Sequence, residues 1–113
     1  MRKIINIAAV AVNTTPLDTD NNIELIYQAY SEAVNGGADV VLTPELAVTG
    51  YGMEDMFYVS EIMHEVPSLV VSLAGRLREN TYLAVGFPYL VDGGQLYNAV
   101  ALLTKDRFSA SFP

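Results

Sequence analysis

A chain of 113 residues fits one small domain large enough for its own core and does not suggest two. Apolar residues make up 51% and charged residues 17%, below the roughly 25% charged residues of an average soluble domain, so apolar surface should remain that needs a partner. Thirteen acids against six bases give a net charge of −7, which repels phosphate backbones and argues against nucleic acid as a partner; zero cysteines exclude disulfides, thiolate metal sites and a thiol nucleophile within this segment.

The opening Met1-Arg2-Lys3-Ile4-Ile5-Asn6-Ile7 carries two charges, is interrupted by Asn6 and lacks a small-residue cleavage pattern, so it reads as a first strand and not as a signal peptide. Ile4 to Val12 is nearly continuous in apolar residues and ends at Asn13-Thr14-Thr15-Pro16, a strand followed by a loop. Asp18 or Asp20 can cap the helix that follows. On it Ile23, Ile26, Tyr27, Tyr30 and Val34 keep spacings of three and four, with Glu24, Gln28 and Glu32 opposite. Asn35-Gly36-Gly37 stops the helix, glycine tolerating the left-handed cap conformation. Asp39 to Thr43 is a second buried strand, and the strand, helix, strand order predicts parallel pairing.

After a loop rich in glycine and methionine, Pro67 suits the first position of a second helix whose stripe is Leu69, Val70, Leu73, Ala74 and Leu77. Tyr82 to Val91 and Leu96 to Leu103 are strands joined through Asp92-Gly93-Gly94, a predicted hairpin. Lys105-Asp106 forms the next turn, with a fifth strand beginning near Phe108. The pattern is that of an α/β fold with an open sheet edge. No apolar run approaches the roughly 20 residues that span a bilayer, so the expected location is cytoplasmic, with no membrane partner.

Among residues able to carry chemistry, Glu45 leads. It follows a buried-looking strand, Val40-Val41-Leu42-Thr43-Pro44, at the carboxyl end where open α/β sheets place their ligands. Apolar Leu46 and Val48 would raise a buried carboxyl toward the range of a general base, and Pro44 restricts the backbone beside it. A cap or ion pair at a strand end is the structural alternative. Thr49-Gly50-Tyr51-Gly52 is a turn that offers close backbone approach and an aromatic with a hydroxyl, or simply a turn. Glu54-Asp55, among Met53, Met56, Phe57 and Tyr58, reads better as a docking loop than as a cation site, and no metal is expected. His64, the single histidine, reads as solvated. No serine has a Gly-x-Ser-x-Gly setting, and no glycine cluster matches a phosphate-binding loop.

These residues resemble the carbon-nitrogen hydrolases of the nitrilase superfamily. The resemblance runs from the strand Ile5 to Asn13, through Asp18 and Asn22, to Leu42-Thr43-Pro44-Glu45-Leu46 and Thr49-Gly50-Tyr51, then Val85-Gly86-Phe87-Pro88 and Tyr97-Asn98-Ala99-Val100-Ala101. Within the superfamily, Thr49 to Phe57 looks most like the N-terminal glutaminase domain of glutamine-dependent NAD synthetases.

The resemblance implies a four-layer α-β-β-α sandwich, of which residues 1–113 would be the N-terminal portion, and a Glu-Lys-Cys triad. Glu45 matches the general base, and Tyr51 matches a tyrosine beside the glutamine pocket. Lys105 does not sit in the motif of the family lysine, which is expected just beyond Pro113, with the cysteine further on; the 113 residues alone should then be inactive. Glutamine is the implied small-molecule substrate, self-association is expected, and ATP and Mg would serve only a downstream synthetase domain. A stand-alone amidase acting on another small amide and a noncatalytic α/β assembly fragment are the alternatives.

Overall fold

The computed structural model describes residues 4–15, 18–44, 47–48, 60–90 and 96–111. In chain order these form β1 (Ile7–Ala9), α1 (Thr19–Asn35), β2 (Val40–Leu42), α2 (Ser60–Ala74), β3 (Tyr82–Leu90), β4 (Leu96–Thr104) and β5 (Arg107–Ser111). The strands make one mixed sheet in the order β1-β2-β3-β4-β5. As the strand, helix, strand order requires, β1, β2 and β3 run parallel; β3, β4 and β5 are antiparallel neighbours.

Period-two alternation decides which side of the sheet is covered. Val41, Leu83, Val85, Phe87, Ala99, Ala101 and Leu103 point to one face and form a single core with Ile23, Ile26 and Tyr30 of α1 and Val66, Val70, Leu73 and Ala74 of α2. On the opposite face, among the described residues, Ile7, Leu42, Tyr82, Val100 and Leu102 are exposed, with Ile7 at 65% and Val100 at 50%, whereas Gly86 and Pro88 of β3 are buried. One helical layer on one sheet amounts to two of the four layers in an α-β-β-α sandwich. Neither helix among the described residues is long and apolar enough to cross a membrane.

Several boundaries differ from the predicted ones for physical reasons. The first strand shrinks to Ile7–Ala9 because, among the described residues, it pairs with β2 alone, which supplies three paired residues. Asn6 marks its start: its backbone N–H donates to Asp39 Oδ2 at 3.0 Å, its carbonyl accepts from Asp39 N at 2.8 Å, and its amide donates to the Gly37 carbonyl at 3.2 Å. Asp18 stands at the cap position of α1 but makes no side-chain cap bond, and Asp20 lies inside the first turn. At the other end Gly36 stays right-handed at φ −81°, and Gly37 takes the left-handed conformation at φ +105°. Bonds from Gly37 N to Val34 O and from Ala38 N to Ala33 O complete the Schellman pattern.

α2 starts at Ser60, seven residues before Pro67, which lies inside the helix. Proline donates no backbone N–H, and here that loss is offset by a buried stripe that brackets it, Val66 before and Val70 and Leu73 after. The tip between β4 and β5 docks on the end of this helix: Asp106 N donates to the Ala74 carbonyl at 3.0 Å and Lys105 Nζ to the Gly75 carbonyl at 2.6 Å. Asp106 sits at φ +60°, a conformation that aspartate tolerates better than most residues.

α1 and the turn after α2 are joined by a buried hydroxyl relay. Thr81 Oγ1 donates to the Arg78 carbonyl at 2.7 Å, so the 2.6 Å bond between Tyr30 and Thr81 uses the phenolic hydrogen; the phenol oxygen in turn accepts from Arg78 N at 2.8 Å. Outside, the Arg76 guanidinium forks onto Glu24 at 2.6 and 3.2 Å and lies 3.9 Å over the ring of Tyr27. This fork holds the Glu24 carboxyl below its ordinary pKa.

A frame at the carboxyl end of the second strand

Parallel strands bring the ends of β1 and β2 to the same edge of the sheet, and the connections leaving them are the places for a ligand site. β2 stops at Leu42, yet β3 continues past it. Ala84 and Gly86 still turn backbone groups toward the side that β2 has vacated, and buried backbone groups need partners. Thr43 supplies two: its N–H donates to the Ala84 carbonyl at 3.0 Å, and its hydroxyl donates to the same carbonyl at 2.9 Å while accepting from Gly86 N at 3.3 Å. The carbonyl of Gly86 accepts from Val48 N at 3.2 Å.

The loop from Thr43 to Val48 therefore begins and ends on a single residue, Gly86. Its far end is dry, with Ala47 at 2% and Val48 at 0% exposure. From the other side, Asn22 at the start of α1 holds the Val48 carbonyl through its amide Nδ2 at 3.0 Å. The same carboxamide donates to the Thr15 carbonyl at 2.8 Å and accepts from Thr15 N at 2.9 Å. Asn22 is fully buried and ties the loop after β1 to the loop after β2.

Glu45 and Tyr51, the two predicted site residues, lie outside the described residues, as do Leu46 and the turn residues 49 and 50. Position 45 falls between the two anchors just described, and Tyr51 comes three residues after the second. Sequence reasoning noted Asn22 without giving it a task. Its spacing carried the signal: Asn22, Ile26 and Tyr30 are four apart and lie on the buried side of α1, so a polar side chain there had to find partners in the interior.

Elsewhere, a groove of about 770 Å³ runs beside α2, lined by Pro67, Val70, Val71, Phe87, Tyr89 and Phe108 among others. Phe87 and Tyr89 meet edge to face in it, at 6.5 Å between ring centres and 74° between planes. The wall is mostly apolar and lies on the helical face, and Thr43, Ala47 and Val48 are not among its lining residues. Among the described residues no three His, Cys, Asp or Glu side chains converge as a metal site.

Comparison with known proteins matches residues 6–110 to the carbon-nitrogen hydrolase family. A glutamine-dependent NAD(+) synthetase of Arabidopsis thaliana is 30% identical over 93% of this chain. The crystal structure of a glutamine-dependent NAD(+) synthetase from Cytophaga hutchinsonii superposes with a TM-score of 0.81 at 33% identity over 95% of the chain. An amidase from Nesterenkonia sp. shares the fold, with a TM-score of 0.77 at 24% identity over 96% of the chain and 42% of its own length. The chain spans 14% of the Arabidopsis relative and 19% of the Cytophaga structure. The chain belongs to the carbon-nitrogen hydrolase family, and its matched region is related to part of the glutamine-dependent NAD(+) synthetases.

Proposed function

We propose that this chain is the glutamate-bearing N-terminal part of a glutaminase domain that releases ammonia from glutamine for NAD synthesis. One observation carries the reading: in a chain matched to the family over residues 6–110, the loop containing position 45 is pinned at both ends to Gly86, at the carboxyl end of a parallel strand. Backbone fixed on both sides of a carboxylate in the sequence favours its use as a general base, which needs a preorganised setting.

Glu45 takes the proton from a cysteine thiol. The thiolate attacks the amide carbon of glutamine, the carbon–nitrogen bond breaks and ammonia leaves with a proton; water then cleaves the thioester to give glutamate and the free thiol. Tyr51 lines the glutamine pocket. The sequence holds no cysteine, so the thiol comes from polypeptide outside these 113 residues; the family lysine, whose motif Lys105 does not match, is assigned there with it, and the chain alone does not hydrolyse glutamine. ATP and magnesium serve the synthetase chemistry, to which no residue here is assigned.

The test is a chimera in which residues 6–110 replace the matching segment of the Cytophaga hutchinsonii enzyme. The reading expects ammonia release from glutamine well above that from other small amides. Folding is checked by NAD synthesis with ammonia supplied directly. A chimera that makes NAD from ammonia but releases none from glutamine would overturn the reading, and one that prefers other amides would move the chain to a different amidase.

A further inference from the structure

We infer that Asn22 is a positioning residue for the Glu45 loop, an inference that rests on Glu45 being the base. The frame has two sides. Gly86 holds the loop against the sheet through Thr43 and Val48, and a single carboxamide holds it against α1. The group that Asn22 grips, the Val48 carbonyl, belongs to the peptide bond joining Val48 to Thr49. It stands three residues after Glu45 and three before Tyr51, so one side chain fixes the backbone midway in sequence between the two predicted site residues.

The carboxamide is suited to this task in a way that no other side chain is. It must accept from the Thr15 N–H and donate to the carbonyls of Thr15 and Val48 at once, from a position without solvent. Aspartate keeps the acceptor but loses both donors, leaving two carbonyls facing a carboxyl group. Alanine removes everything. A leucine would suit the helix stripe, so a helix that only needed to pack would have no use for asparagine here. The backbone of the same residue is ordinary, with Asn22 N donating to the Asp18 carbonyl at 2.9 Å in the first turn.

The experiment uses the isotope-labelled 113-residue chain with Asn22→Ala, Asn22→Asp and, as a control of comparable burial outside the frame, Tyr30→Phe. Two quantities are read by NMR: amide exchange at Val48 relative to Val85 in the core of β3, and titration of the Glu45 side-chain carboxyl. Both Asn22 variants should speed exchange at Val48 by about tenfold relative to Val85, because the opening is local. They should also move the Glu45 titration by about half a pH unit or more, because the setting of the carboxyl changes. Tyr30→Phe should raise exchange at both amides together and leave Glu45 where it was.

Asn22 variants that behave like Tyr30→Phe would overturn the inference, as would loss of the folded state in both. A chimera that releases no ammonia would remove the glutaminase reading without altering these spectra, so the two failures are separable.

Discussion

Thr43→Val tests the frame where its energetics can be worked out. Valine keeps the shape and β-branching of threonine and removes only the hydroxyl, which donates to the Ala84 carbonyl at 2.9 Å and accepts from Gly86 N at 3.3 Å. Ala84 loses little, since its carbonyl still receives the Thr43 N–H at 3.0 Å. Gly86 loses the acceptor of its buried N–H. An unsatisfied buried donor costs about 1–3 kcal/mol, and the length of this bond favours the lower end, about 1 kcal/mol. Unfolding entropy of about 2.1 cal/mol/K per residue over 113 residues converts this to a fall in Tm of about 4 °C. Thermal unfolding followed by circular dichroism gives the number, and Thr43→Ser, which keeps the hydroxyl, should recover most of it. A valine variant that melts within about 1 °C of the parent, with no difference between valine and serine, would show that the hydroxyl does not anchor the loop.

Three further outcomes follow from other parts of the molecule. Tyr30→Phe removes both the donor to Thr81 and the acceptor for Arg78 N from a buried relay, and should lower stability in denaturant titrations by about 2 kcal/mol. Glu24 has a lowered pKa in the fold, chiefly through its hydrogen bond to Arg76, so its contribution is fully present above the ordinary glutamate range and disappears as pH falls through the lowered value. Acid titration of stability should therefore be shallower for Glu24→Gln than for the parent over that interval. The uncovered sheet face around Val100 and Leu102 should make the isolated chain self-associate in sedimentation, and lysine at both positions should shift it to monomer; an unchanged association state would place the contact elsewhere.

The readable and unreadable parts of this chain differ by the range of the interactions that set them. Parallel pairing of β1 with β2, antiparallel pairing of β3 with β4 and the turn at Lys105-Asp106 follow from local patterning, and the structure has them. The start of α2 was misplaced because proline is favoured at the first helical position, whereas here Val66 and Val70 hold the helix together across Pro67. Gly36 and Gly37 are equally permissive in sequence; the bond from Ala38 N to Ala33 O selects Gly37 for the left-handed position. At the site, Glu45 stood out because a strand leads directly into it. Its anchors did not, because Thr43, Val48 and Gly86 meet through backbone groups whose pairing depends on where β2 ends against β3.

Whether Glu45 acts as the base of a carbon-nitrogen hydrolase is decided by glutamine-dependent ammonia release from the Cytophaga hutchinsonii chimera carrying Glu45→Gln. Loss of a positioned general base should lower kcat by about 10²–10⁴-fold, with NAD synthesis from supplied ammonia unchanged. Ammonia release by Glu45→Gln at close to the parent rate would show that Glu45 is not the base.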